Sequence, residues 1–234
     1  MPQPTFIQRT INKNNGWVPL TVVPLQPAHL EFWDTFIQPF IRAMGPTARV
    51  DWDWSWSLIT SICKLTAPLR QQPAAYALTY SDPSFPHDVV CGIVQLARHF
   101  LYLPDLGNRR TRRASGFLWK CTTAPPIALR PYFTDPDMPK RLAQLCIDVA
   151  VTSSYQDGYD GRMCLHADPD APQNHLSQDV LLEFYKNAPV NMLVLDSTIK
   201  IPRLRGILAP NDGRYFYFNE AQALVFSQQF NAYR

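Results

Sequence analysis

No stretch of this 234-residue sequence approaches the roughly 18 consecutive apolar residues of a membrane-spanning helix. The opening MPQPTFIQRT also lacks the apolar run of a secretory leader. Both absences point to a soluble protein with no membrane partner, and the cytoplasm is the expected compartment. Net charge is scarce too: 22 Lys and Arg against 19 Asp and Glu leave a formal +3. So small a surplus argues against nucleic acid and mildly favours anionic ligands. The five cysteines, Cys63, Cys91, Cys121, Cys146 and Cys164, share no CxxC spacing. An odd, unpatterned set argues against a disulfide framework or a zinc site, and for a reducing compartment. No glycine-rich phosphate loop, HExxH or G-x-S-x-G is present. No metal is expected.

What is there suits a folded domain. Apolar residues make up 46% of the chain, enough for a real core. The 22 prolines are spread along the chain and read as stiffened loops, not as a disordered tract. Val18 to Val23 reads as a strand, and a helix opens at Pro27-Ala28-His29 and ends at Gly45-Pro46. A second helix is expected from about Trp54 to Lys64. Ala75 to Tyr80 and Val89 to Leu103 make a plausible hairpin, and Phe117 to Thr123 a third strand. Five prolines make Ala124 to Pro139 irregular. Lys140 to Ser154 reads as a helix, closed by Gly158 where a positive φ is wanted. A strand near Arg162 to His166, a helix over Gln178 to Lys186, strands over Met192 to Asp196 and Tyr215 to Phe218, and a helix over Glu220 to Phe230 complete the order. The expected fold is α/β (α+β): one domain over 1–234, with a mixed, mostly antiparallel central sheet flanked by helices.

The stretches FLWKCTTAP, RLAQLCIDVAVTSSYQDGYDGRMCLHADP and LLEFYKN lie in this order between Phe117 and Asn187. Together they resemble the core of the GCN5-related N-acetyltransferase superfamily. In that family a strand leads to a loop that cradles the coenzyme A pyrophosphate, and then to a helix. That helix ends in a GY-GR turn before a strand reading LHA-P, and a helix carrying FY follows. The resemblance implies acetyl-CoA, or another acyl-CoA, as co-substrate and an amine of a small molecule or protein as acceptor. Residues 1–74 would hold a first strand and acceptor-side helices, and residues 75–234 the sheet core and coenzyme side.

The same resemblance implies roles for particular residues. Tyr185 stands where the family has its general acid, able to protonate the leaving thiolate. Backbone groups of Lys120, Cys121, Thr122 and Thr123 would contact the pantetheine arm. Lys140, Arg141, Leu142 and Ala143 would meet the pyrophosphate at a helix start. Met138, Arg141 and Ala143 fall at the three motif positions of the phosphate loop, and of these Ala143 obeys the family pattern. Arg141 carries a Cβ where the family has glycine. Asp135 and Asp137 just upstream would repel phosphate; Lys140 and Arg141 would attract it.

Other signals are open to two readings. In DWDWSWS, Trp52 and Trp54 can be core residues or line the acceptor pocket. Asp51 and Asp53 can be a base, an amine anchor or a helix cap. GNRRTRRASG reads as a solvated basic loop. His166 reads as structural. The leading function is an acyl-CoA-dependent N-acyltransferase; the alternative is a non-catalytic or repurposed binding or regulatory protein on the same fold, which Arg141 favours.

Overall fold

The computed structural model describes residues 9–45, 73–108, 110–167, 175–202 and 208–234. Asp51, Trp52, Asp53, Trp54 and the expected helix from Trp54 to Lys64 lie outside the described residues.

The first strand expected from the sequence is two strands. β1 (Arg9–Ile11) and β2 (Trp17–Pro19) form a small antiparallel hairpin, and β3 (Thr21–Pro24) joins the main sheet. The break falls at Leu20, whose side chain is fully buried. The next helix is also compound: α1 (Pro27–Phe32), a π turn (Trp33–Ile37), and α2 (Gln38–Ala43). Pro39 explains the interruption. It has no N–H to donate and its ring crowds the carbonyl four residues back. The Gln38 N–H bonds the Trp33 carbonyl, five residues back, and the chain passes the proline without ending the helix.

β4 (Pro73–Tyr80) and β5 (Val89–Leu101) form the expected hairpin. A 3₁₀ turn (Leu103–Gly107) leads to β6 (Ala114–Thr123), which starts three residues earlier than the sequence implies. The reason lies in the basic loop: Arg113 lies over the Tyr102 ring and pairs with buried Asp105 and with Glu220, so its end is anchored instead of solvated. A short α3 (Pro126–Leu129) interrupts the proline-rich segment. α4 (Leu142–Gln156) follows, then β7 (Met163–His166), α5 (His175–Lys186) and β8 (Leu193–Val194). β9 (Ile201–Pro202) and β10 (Leu208–Ala209) pair with each other; β11 (Tyr215–Phe218) and α6 (Glu220–Gln228) end the regular structure.

The main sheet has seven strands in the order β3-β4-β5-β6-β7-β11-β8. Every pairing is antiparallel except β6 with β7. The expected mixed, mostly antiparallel sheet flanked by helices is therefore what the chain forms. Strand alternation divides the core. Met163 and Leu165 pack with α4 residues Leu145, Cys146 and Val149 on one side; Cys164 packs with Tyr102, Leu103 and Phe117 on the other. α4 is buried along almost its whole length, including Asp148, which is fully enclosed. Among the described residues no helix is long and apolar enough to cross a membrane.

Candidate functional site

The site begins where β6 and β7 stop running together. They pair at Gly116–Met163, Phe117–Cys164 and Leu118–Leu165, and no further. β6 itself continues to Thr123, held by β5 alone. The divergence coincides with a bulge. Lys120 faces Gln95 of β5 and Leu118 faces the very next residue, Leu96, so Trp119 is the extra residue. A bulge bends its strand and increases the local twist, which turns the second half of β6 away from β7.

The opening is lined by Leu118 to Cys121 and Thr123 of β6, Ala143 and Ile147 of α4, Leu165 and His166 of β7, and Leu181, Phe184 and Tyr185 of α5. A second hollow adjoins it at the start of α4, lined by Met138, Pro139, Arg141, Leu142, Ala143 and Gln144, with Thr123, Phe184 and the α3 segment closing it. Thr123, Ala143 and Phe184 belong to both, so the two form one trough. Lys120, Arg141 and His166 line it, and among the described residues no carboxylate does.

The start of α4 gives the trough its polarity. The N–H groups of the first helical residues have no carbonyl a turn back to bond, and they carry the positive end of the helix dipole. The side chain at the cap position makes no hydrogen bond to them. Arg141, at the cap position, has φ 61 and ψ 19, the left-handed conformation. This is the position where the family pattern has glycine, and the backbone keeps the glycine conformation despite the Cβ. The Arg141 guanidinium donates to the Tyr233 hydroxyl at 3.1 Å. The helix therefore starts at Leu142, two residues later than the sequence implies. Asp135 and Asp137 lie off the trough: Asp135 pairs with Lys13 at 3.6 Å, and Asp137 accepts from Asn12 at 3.3 Å and from the Thr134 hydroxyl.

The expected site residues divide into two groups. Lys120, Cys121, Thr123, Arg141, Leu142, Ala143 and Tyr185 share the trough. Thr122 is buried and does not line it. Lys140 is held by the β1–β2 hairpin instead: its N–H donates to the Ile11 carbonyl at 2.8 Å, and its own carbonyl accepts from Thr10 at 2.6 Å. The Tyr185 ring packs on Phe216 (centroids 5.4 Å apart) and on Phe184 (5.2 Å), which fixes it across the trough floor.

Two features escape the sequence reading. His166 lines the trough and its Nε2 lies 2.8 Å from Asp212 Oδ2. Burial would raise the Asp212 carboxyl, but hydrogen bonds from His166 and the Arg214 N–H outweigh it and hold the group below the usual carboxylate range. Second, Cys121 lies beside Cys146, and the hydrogen bond between them together with burial pushes the Cys146 thiol well above its usual value. Burial pushes Cys91 up to about 12, and it does the same to Cys164 against hydrogen bonds from the Leu103 backbone and Ser115. These three stay thiols near neutrality and offer no thiolate nucleophile. No group of three or more His, Cys, Asp or Glu among the described residues is placed to hold a metal.

The mixed, mostly antiparallel sheet is the one that the sequence leads one to expect. No family model and no curated protein matches the sequence. Three solved structures are similar over most of their length. One is a KacTA–DNA complex (TM-score 0.45, 11% identity, 91% of this chain and 99% of that one). Another is a tyrosine-to-phenylalanine mutant of KacT (0.41, 10%, 88% and 97%). The third is a protein assigned as an acetyltransferase (0.41, 12%, 97% and 95%).

Proposed function

We propose that this protein is an acyl-CoA-dependent N-acyltransferase that carries an acyl group, acetyl in the simplest case, to an amine of a small molecule or protein. The observation that carries the proposal is the divergence of β6 from β7 after Leu118–Leu165, next to the uncapped start of α4. An open strand edge and a bare helix start are complementary to an amide-bearing arm that ends in a diphosphate.

The residues fit that co-substrate. The first-turn N–H groups of Leu142 and Ala143 would face the diphosphate, with the Arg141 guanidinium adding charge. The β6 backbone from Lys120 to Thr123 would bond the amides of the pantetheine arm. The acyl-CoA supplies the activated thioester. The protein holds the acceptor amine against it, and this proximity supplies much of the rate. Tyr185 gives its hydroxyl proton to the departing sulfur. Asp51, Asp53, Trp52 and Trp54 remain proposed for the acceptor side.

Calorimetry with acetyl-CoA tests the reading first: binding in the micromolar range supports it, and no heat at millimolar concentration removes it. Tyr185→Phe is then expected to lower the rate of thiol release about 100-fold with little change in acetyl-CoA affinity. A variant as active as the parent would take Tyr185 out of the chemistry.

One observation favours a second reading, that of a binding or regulatory protein. The Arg141 side chain stands at the helix start and is tied to Tyr233, which narrows the approach of a ligand to the backbone. The same calorimetric titration separates the two.

A further inference from the structure

We propose that His166 is the proton acceptor for the attacking amine and that Asp212 is its positioning residue. This rests on the acyltransferase reading above and gives a role to a residue that the sequence alone reads as structural.

The placement comes first. His166 is the last residue of β7, just beyond Leu165, the last residue paired with β6. It therefore stands at the mouth of the splay, and it lines the same opening as Tyr185 and Lys120. The imidazole is three-quarters buried, with 24% of its side chain exposed. The Tyr215 ring lies against it, with centroids 4.4 Å apart.

The hydrogen bond to Asp212 then decides the tautomer. A carboxylate can only accept, so Nε2 must carry the hydrogen and the neutral ring keeps its lone pair on Nδ1. Asp212 is itself fixed. It precedes the turn at Gly213 (φ +77), and its Oδ1 accepts from the Arg214 N–H at 3.0 Å. Arg214 also donates from Nε to the Ala167 carbonyl at 2.8 Å, which ties this turn to the end of β7. The carboxylate so held sets the orientation of the ring and stabilises the imidazolium that forms when Nδ1 takes a proton. Among the described residues, Lys120 of β6 and Tyr185 of α5 share the opening with the ring, Asp212 and Tyr215 contact it, and Arg214 lies on the turn that holds Asp212.

The step balances. The acceptor nitrogen bonds to the acyl carbon and the carbon–sulfur bond breaks. The nitrogen's proton passes to His166 Nδ1, and the departing sulfur takes the Tyr185 hydroxyl proton. The imidazolium then returns its proton through solvent to the tyrosinate. The products are an amide and a free thiol.

Two measurements on the full chain test this. The first needs no acceptor: long-range ¹H–¹⁵N NMR of the His166 ring at pH 8 is expected to show the Nε2–H form, reverting toward mixed tautomers in Asp212→Asn. A ring carrying its proton on Nδ1 would overturn the proposal. The second follows thiol release from acetyl-CoA with spermidine, tryptamine and a lysine peptide as acceptors. His166→Gln is expected to lose about 100-fold in kcat, together with the acid limb of the pH–rate profile, while its acetyl-CoA affinity by calorimetry stays at the parent value. Asp212→Asn is expected to lose about tenfold in kcat alongside the loss of the single Nε2–H tautomer. If His166→Gln keeps the parent rate and pH profile, His166 is a structural residue. A parent chain that binds no acetyl-CoA removes the function reading itself, an outcome distinct from the tautomer result.

Discussion

The two ends of α4 are built in opposite ways. At its C-terminal end side chains close the turn that follows. Asp157 pairs with Arg98, the Tyr159 hydroxyl meets His99, and Ser154 donates to the Arg162 carbonyl at 2.6 Å. Gly158, with φ +78, turns the chain, and the Tyr159 N–H returns to the Ser154 carbonyl at 2.9 Å. At its N-terminal end the cap residue is an arginine in a left-handed conformation, and its side chain makes no capping hydrogen bond. A fold that closes one end so fully could close the other with a single serine or aspartate. The end left open is the one that faces the trough, which is where an anion would gain from unsatisfied N–H groups.

The largest effect expected from breaking this contrast is at the closed end. Gly161 has φ +78, and a Cβ built on it would lie 2.6 Å from the Tyr155 ring and 2.7 Å from Ala223 Cβ. Gly161→Ala combines a disfavoured backbone with two clashes, one of them with a buried methyl group on α6. A loss of about 3 kcal/mol is expected, a drop of roughly 10 °C in Tm for a chain of this size. Thermal unfolding followed by circular dichroism measures it. A drop below about 2 °C would mean that the turn relaxes at little cost.

A smaller, pH-dependent effect is expected between the two ends. Asp148 is enclosed in the middle of α4 and accepts from Arg234 at 2.6 Å. Burial pushes its carboxyl up to about 7 against the pull of Arg234 and Ser227. A carboxyl raised on folding favours the folded state most at low pH, below its unfolded value of about 3.9, and loses that contribution as pH rises through about 7. Tm of the parent chain is therefore expected to carry a downward component between about pH 4 and 7. Asp148→Asn stays neutral throughout and removes it, while Arg234 keeps Ser227 and Asn231 as acceptors. Identical Tm-versus-pH curves for parent and variant would show that Asp148 is ionised in the fold over the whole range.

The contrast between the ends also marks what the sequence made legible. The closed end was readable because its signals are local: Gly158 sits just past an apolar helical face, and the strand at Arg162 to His166 alternates cleanly. The parallel pairing of that strand with β6 is not a local signal. The open end was misplaced by two residues. Lys140 and Arg141 are good helix formers, and nothing in a single sequence says that an arginine will take a left-handed conformation. The π turn ahead of Pro39 and the anchoring of Arg113 on Tyr102 escaped for the same reason, since tertiary contacts decided them. Of the trough, the β6 and α5 residues were found through the family block. Asp212 was not, because its partner His166 is 46 residues away and no local spacing links them. Asp51, Asp53, Trp52 and Trp54 lie outside the described residues and stay proposals from sequence.

The smallest effect expected is at the open end, and it separates backbone from charge. Arg141→Ala and Arg141→Gly both remove the guanidinium and its bond to Tyr233, so any difference between them belongs to the left-handed backbone. Holding an alanine there costs about 1 kcal/mol, whereas glycine adopts the conformation freely. Glycine also gives the unfolded chain more freedom, which offsets part of that gain. Arg141→Gly is therefore expected to be more stable than Arg141→Ala by about 0.5–1 kcal/mol in urea unfolding. For acetyl-CoA the two variants divide the second question. If the guanidinium contributes to holding the diphosphate, both weaken binding by a similar factor of about 3 to 10, since an exposed cation adds modestly. If instead the side chain obstructs the helix start, Arg141→Gly binds more tightly than the parent, and the arginine is a barrier that this chain has placed across an otherwise competent anion site.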